Sequence, residues 1–186
     1  MHRSYKATGI IIKRINYKEA DKILIIFTRE YGKIRVLAKG IRKILSKRAS
    51  QLELFNYVSL NLIRGKFLDI IDEVEIQELF PAIRSSLKNI AYTYELVEII
   101  DRLCPEQQEH KRIFDLSLWV LKTVEKGECG NLAELVENFT HQLLWELGYL
   151  PYNQVLSSDN LNIFVENIIE RSIKSRRLIN KIMIES

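Results

Sequence analysis

Near residue 80 the hydrophobic rhythm of this 186-residue chain changes from a period of two to one of about 3.6, and no other feature constrains the fold as much. Upstream, Thr8–Ile15 is rich in β-branched residues, and Ile23–Thr28 is an apolar run entered through Asp21-Lys22. Lys33–Lys39 alternates basic and apolar residues, and Val58, Leu60 and Leu62 alternate with Ser59, Asn61 and Ile63. Leu68, Ile70, Val74 and Ile76 fall on one side of a further strand, with Asp69, Glu73 and Glu75 on the other. Asp72 interrupts the apolar side and reads as a bend or bulge. Arg29–Gly32 suits a short hairpin loop. Five strands, tight turns and no long helix predict a small closed barrel.

Pro81 opens the second rhythm. Leu87, Ile90, Ala91, Tyr94, Val97 and Ile100 to Leu103 follow helical spacing, and Cys104-Pro105 ends the run. A second helix covers Ile113 to Val124 and closes at Gly127. A third covers Leu132 to Leu147 and closes at Gly148, with Pro151 beyond. Ser157-Ser158 offers an N-cap for a fourth, through Ile169 or further. The reading is α+β: a five-stranded head over residues 1–80 and an all-helical body over 81–186.

Charge is spread as unevenly as the period. Residues 1–50 hold 14 Lys and Arg against 3 Asp and Glu, although the whole chain is only +4. The densest stretch, Gly32–Arg48, has seven basic residues and no acidic one: Lys33, Arg35, Lys39, Arg42, Lys43, Lys47 and Arg48. Such an array matches a phosphate backbone better than a small substrate, although basic runs also serve simply to keep a surface wet. Cys104 and Cys129 stand apart without metal-ligand spacing and are expected to be buried in a reducing compartment. No apolar run reaches the length of a membrane span and the first residues lack an apolar signal core, so a soluble, cytoplasmic protein is expected.

Catalytic patterns are missing. There is no phosphate loop, no Gly-x-Ser-x-Gly elbow and no His-Glu-x-x-His pair, and His2, His110 and His141 are scattered. The pairs Glu95 with Glu98 and Glu134 with Glu137 have i, i+3 spacing, which places them on solvated helix faces. No catalytic residue, metal ligand or cofactor is expected, and a hydrolase or nuclease fed by a basic groove is the weakest class. Among the aromatics of the head, Phe27 reads as core, whereas Tyr17 and Tyr31 sit at polar turns and are candidates to stack on bases. Trp119 and Trp145 read as packing residues of the body.

Several segments in order carry a resemblance. They are Ile11-Ile12-Lys13-Arg14-Ile15-Asn16-Tyr17-Lys18-Glu19-Ala20-Asp21, Phe27-Thr28-Arg29-Glu30-Tyr31-Gly32-Lys33, Ala38-Lys39-Gly40-Ile41-Arg42 with Ser46, and Leu52-Glu53-Leu54-Phe55. Tyr94-Glu95-Leu96, Leu144 to Pro151 and Ile173-Lys174-Ser175-Arg176-Arg177-Leu178 continue the series. In this the chain resembles the bacterial recombination mediator family RecO over nearly its full length. The resemblance implies an OB-fold head and a helical domain, binding of single- and double-stranded DNA, strand annealing, and help in loading RecA. It implies RecR and the acidic tail of single-strand binding protein as partners, with RecA reached indirectly. Many family members insert a four-cysteine zinc module after the Gly-Tyr-x-Pro turn; here only Tyr152 to Asn160, without cysteine, separates that turn from the last helix.

On this reading Lys33, Arg35, Lys39, Arg42, Lys43, Lys47 and Arg48 hold phosphates, and Tyr17 and Tyr31 stack on bases. Glu19 and Asp21 fix turns beside them. Arg171, Lys174, Arg176 and Arg177 supply charge to an acidic partner. The rival is an adaptor whose basic head binds RecR or another acidic protein and meets DNA only within that complex.

Overall fold

A computed structural model describes residues 4–43, 48–170 and 172–184, the side chains of 177, 178, 180, 183 and 184 excepted. Its chain divides into two compact units: residues 1–79 with 105–114, and residues 80–104 with 115–186.

The first unit is a closed barrel. Its strands are β1 (Ser4–Tyr17), β2 (Asp21–Thr28), β3 (Gly32–Ala38), β4 (Tyr57–Ile63) and β5 (Asp69–Glu78), in the order β1-β2-β3-β5-β4. This is the OB arrangement that the resemblance implies. All neighbours are antiparallel except β3 and β5, which run parallel with Val36 opposite Asp69 and Leu37 opposite Ile70. Alternation works as expected on β3 and β4, where Ile34, Val36, Val58, Leu60 and Leu62 point inward. Ala7, Ile11, Leu24, Ile26, Leu52 and Ile71 complete the interior.

Two positions depart from the expected facing. On β5, Asn61 pairs with Glu73 while Leu62 pairs with Ile71, so Asp72 is the bulged residue. The extra residue flips the strand's parity: Ile71 is buried and Ile70 is only half-buried, the reverse of the simple alternation. Phe27 is fully buried, but outside the barrel's interior, where its ring meets Phe114 at a centroid distance of 6.0 Å.

The second unit contains α1 (Pro81–Ser85), α2 (Leu87–Leu103), most of α3 (Lys111–Lys126), α4 (Leu132–Glu146), α5 (Ser158–Ile169) and α6 (Lys174–Ile184). The hydrophobic period reveals neither α1 nor the break before α6. Pro81 starts α1, and the Glu125 carboxylate accepts the N–H groups of Ala82 and Ile83. Ser86 caps α2 through its hydroxyl, and Asn131 caps α4.

Three expectations about side chains are corrected here. Cys104 is buried but Cys129 is only partly so, because it lies between the end of α3 and the Asn131 cap. Trp119 is more than half exposed. Glu95 and Glu98 are not idle surface carboxylates, for reasons given below. His141 is a tie of the fold: its Nε2 accepts the Leu156 N–H at 3.1 Å, so Nδ1 carries the proton and donates to the Glu137 carbonyl at 3.0 Å. Together with the Trp145 Nε1–H donating to the Gln154 carbonyl, this pins residues 154–156 onto α4.

Candidate nucleic-acid interface

The exposed candidates sit in two places on the barrel unit. The first begins where β1 turns into β2. Asp21 opens β2, and its Oδ1 accepts the Gly40 N–H at 2.8 Å. Gly40 has φ +65°, a left-handed conformation that a Cβ would penalise. The Arg42 N–H donates to the Ala20 carbonyl at 2.9 Å, and the Lys43 N–H closes on the Gly40 carbonyl at 3.1 Å. These bonds fix the backbone just beyond β3 while the side chains of Lys39, Arg42 and Lys43 remain exposed. Asp21 thus fixes the turn as its position suggested.

Tyr17 stands beside this loop, 38% exposed, with the Lys18 ammonium 5.4 Å from its ring centroid. Arg42 Nη1 donates to the Lys18 carbonyl at 3.3 Å, which ties the two turns together. On β2, burial first and the Arg14 charge second push the Lys22 pKa down, against the opposing pull of Glu53.

Arg48 has a different part. Its Nη1 donates to the carbonyls of Ile71 and Asp72 at 3.3 and 3.1 Å, and its Nη2 to that of Lys39 at 3.4 Å. It straps the far end of the basic loop to β5 and to the end of β3, so it positions the loop. Lys33 is only 6% exposed and leaves almost no surface to a phosphate. Lys47 lies outside the described residues.

Arg35 and Tyr31 belong to the second place, at the other end of β3. Arg35 Nε donates to Glu106 Oε1 at 2.6 Å. The Tyr31 ring, 40% exposed, meets Tyr5 edge-on at 5.0 Å and 76°. The Tyr5 hydroxyl donates to Asp69 Oδ2 at 2.5 Å, and the Arg64 guanidinium stands 5.3 Å from the Tyr5 ring. Burial, then the bond to Asp69, hold that hydroxyl protonated far above the ordinary tyrosine range. These groups border a cavity of about 530 Å³. Arg64, Lys66 and Phe67 are not among the sequence candidates; a phenylalanine two residues after a glycine, with cations on either side of that glycine, is the signal available.

The cations assigned to an acidic partner fare differently. Arg176 Nε donates to Glu95 Oε1 at 2.8 Å, while its Nη1 lies 3.6 Å from Glu166 and donates to the Asn162 carbonyl. The side chains of Arg176 and Glu95 are 16% and 10% exposed. Arg176 is therefore an internal clasp between α2 and α6. Glu98 completes it, accepting the N–H groups of Lys174 and Ser175 and the Ser175 hydroxyl at the start of α6. Lys174 is exposed, whereas Arg171 and the side chain of Arg177 lie outside the described residues.

Among the described residues no three His, Cys, Asp or Glu side chains are grouped as a metal ion requires, and no helix is long and apolar enough to cross a membrane.

Comparison with known proteins agrees with this architecture. Residues 1–80 match the family "Recombination protein O N terminal", and residues 84–155 match "Recombination protein O C terminal". The DNA repair protein RecO of Symbiobacterium thermophilum is 36% identical over 148 residues, which are 79% of this chain and 58% of that protein. The same-named protein of Roseiflexus is 35% identical over 149 residues, 80% of this chain and 52% of its own. That of Listeria monocytogenes is 30% identical over 146 residues, 78% and 56%. The chain thus spans a little over half the length of the curated relatives it matches. With an OB-type barrel followed by helices, and with both family segments matched in order, the chain belongs to the RecO family.

Proposed function

We propose that this chain is a DNA-binding mediator of recombinational repair. It binds single- and double-stranded DNA through the barrel unit, anneals complementary strands, and with RecR assists RecA loading on strands coated by single-strand binding protein. The observation that carries the reading is the exposed trio Lys39, Arg42 and Lys43 on a backbone fixed by Asp21 and strapped by Arg48. Cations on an ordered loop meet phosphates with little further loss of side-chain and backbone entropy. Neutralising two strands on one surface lowers the repulsion that opposes their pairing. Family membership supplies the biological setting, since the relatives matched are DNA repair proteins by name.

The phosphate-holding set is accordingly Lys39, Arg42 and Lys43, joined at the other end of β3 by Arg35; Arg48 supports them. Tyr17 and Tyr31 are the stacking candidates of the two places. Contact with an acidic tail falls to Lys174 among the described residues, because Arg176 is enclosed. The deciding experiment is annealing of two labelled complementary oligonucleotides, with and without the chain, at low and moderate salt and without nucleotide. Salt-sensitive acceleration is expected. Absence of both acceleration and binding by the chain alone would overturn it in favour of an adaptor that meets DNA only with its partner.

A further inference from the structure

We infer that the β4–β5 turn, Arg64-Gly65-Lys66-Phe67, is a base-stacking site for single-stranded nucleic acid, with Phe67 as the platform and Arg64 and Lys66 as the cations facing the adjoining phosphates. The inference rests on the proposed DNA-binding reading and adds to it a place where the strand is gripped.

Phe67 is 88% exposed. A lone apolar side chain in water is ordinary, so the weight lies on how this one is held. The Gly65 N–H donates to Asp69 Oδ1 at 3.1 Å, and the other oxygen of Asp69 takes the Tyr5 hydroxyl, whose ring abuts Tyr31. A Cβ on Gly65 would stand 1.9 Å from the Leu68 carbonyl oxygen, so the turn can close this tightly only with glycine. An aromatic ring is thus carried into solvent on a turn locked from beneath, which keeps the entropy cost of stacking small.

Charge selects the occupant. The Lys66 ammonium is 5.4 Å from the Phe67 centroid, and the Arg64 guanidinium is 5.3 Å from that of Tyr5. Four carboxylates border the cavity beside the turn: Glu106 and Glu109 are paired with the cations Arg35 and Lys111, while Glu30 and Asp69 keep their charge and point it at neutral donors, the N–H and hydroxyl of Thr8 and the groups of Gly65 and Tyr5 beneath the turn. What the turn presents outward is two cations around an open π face. A nucleobase with its flanking phosphates carries the complementary features.

Strand geometry joins this turn to the basic loop. Because β5 runs parallel to β3 with Asp69 opposite Val36, Phe67 lies two residues before that level and Lys39 three residues beyond it. At about 3.3 Å per residue the start of β5 and Lys39 are roughly 10 Å apart along the strand pair, with the turn that carries Phe67 beyond that start. Arg35, next to Val36 on β3, is exposed. A few nucleotides of single strand cover such a path, and OB-type folds engage roughly 4–16 nucleotides.

The test is titration of the full chain into single-stranded oligonucleotides carrying one 2-aminopurine, moved position by position, at low salt. For the wild type, stacking is expected to quench the probe at one position of the bound stretch. F67A should weaken binding by about 5- to 150-fold and abolish that quenching. F67L, which keeps an apolar side chain but no ring, should lose the quenching as well, whereas F67W should retain it. Since Phe67 is exposed, none of these variants removes packing. Wild-type affinity and quenching in F67A would overturn the inference and leave the DNA-binding reading standing. Failure of the wild type to bind any single strand would overturn both.

Discussion

Two basic segments, Lys39 to Arg48 in the barrel unit and Lys174 to Arg177 in the helical unit, have similar composition and opposite treatment in the fold. In the first, the backbone is fixed by its own hydrogen bonds and by Asp21, so Lys39, Arg42 and Lys43 are held in place with their side chains exposed, Arg42 giving one N–H to the Lys18 carbonyl. In the second, α2 places Glu95 and Glu98 against the start of α6, and Arg176 and the α6 amides are consumed by them. A run of cations can serve as an interface only where no carboxylate has been packed against it. Arg48 shows a third outcome within the same basic run, because it ends up against carbonyls of β5 and β3.

The largest effect should come from breaking the clasp. R176M leaves Glu95 buried without its counter-charge and should cost about 3–5 kcal/mol, read as a lower denaturant midpoint. Burial raises the Glu95 pKa, and Arg176 works against that rise. A raised folded pKa means the folded state binds the proton more readily, so this contribution to stability is complete below the unfolded pKa and is lost as pH rises through the folded one. Removing Arg176 raises the pKa further and widens that window. The deficit of R176M should therefore shrink as pH falls from neutral. A deficit independent of pH would show that Glu95 is not the stranded group.

Reversal of the exposed charges should change binding and spare the fold. K39E combined with R42E should weaken single-strand binding by roughly 2 kcal/mol at low salt, across sequences alike. Its salt slope should fall by about 1.4, or about 0.7 for each phosphate no longer neutralised. Fluorescence anisotropy at several salt concentrations reads both quantities; an unchanged slope would remove these residues from the interface.

R48A tests whether strapping matters. It should lower stability by about 1–2 kcal/mol, because the carbonyls of Ile71, Asp72 and Lys39 are deprived of a charged donor but can be hydrated. Amide exchange across residues 39–43 should quicken. If exchange there matches the wild type, the loop is held by Asp21 and its own turn alone. The smallest effect belongs to Y17L, at about 1 kcal/mol or less of single-strand affinity, since the ring is only partly exposed and shared with Lys18.

Particular residues mark how far reading the chain could go. Strands with one buried face and amphipathic helices announce themselves by period, so the barrel, its five strands and helices α2 to α5 were legible. The interruption at Asp72 was legible too, because a charge on an apolar side demands a bulge. Its consequence for Ile70 and Ile71 was not, since one extra residue changes facing only once β4 supplies a register. The basic run was visible as composition. Which of its cations face water was not: Lys33 is buried, Arg48 is a strap, and Arg35 stands apart beside Glu106, 71 residues further on.

Sequence by itself determined what depends on neighbours along the chain: the period change at Pro81, the turns at Gly40, Gly127 and Gly148, and the excess of positive charge in the first fifty residues. Tertiary structure alone decided which charges were cancelled, because pairing partners such as Glu95 and Arg176 are brought together from 81 residues apart. It also decided where an aromatic ring could stand in solvent on a locked turn, as Phe67 does, because Tyr5 and Asp69 meet beneath that turn only when β1 and β5 close into the barrel. Local patterns are set by steric preference and burial over a few residues, whereas electrostatic outcomes depend on what folding places within a few ångströms.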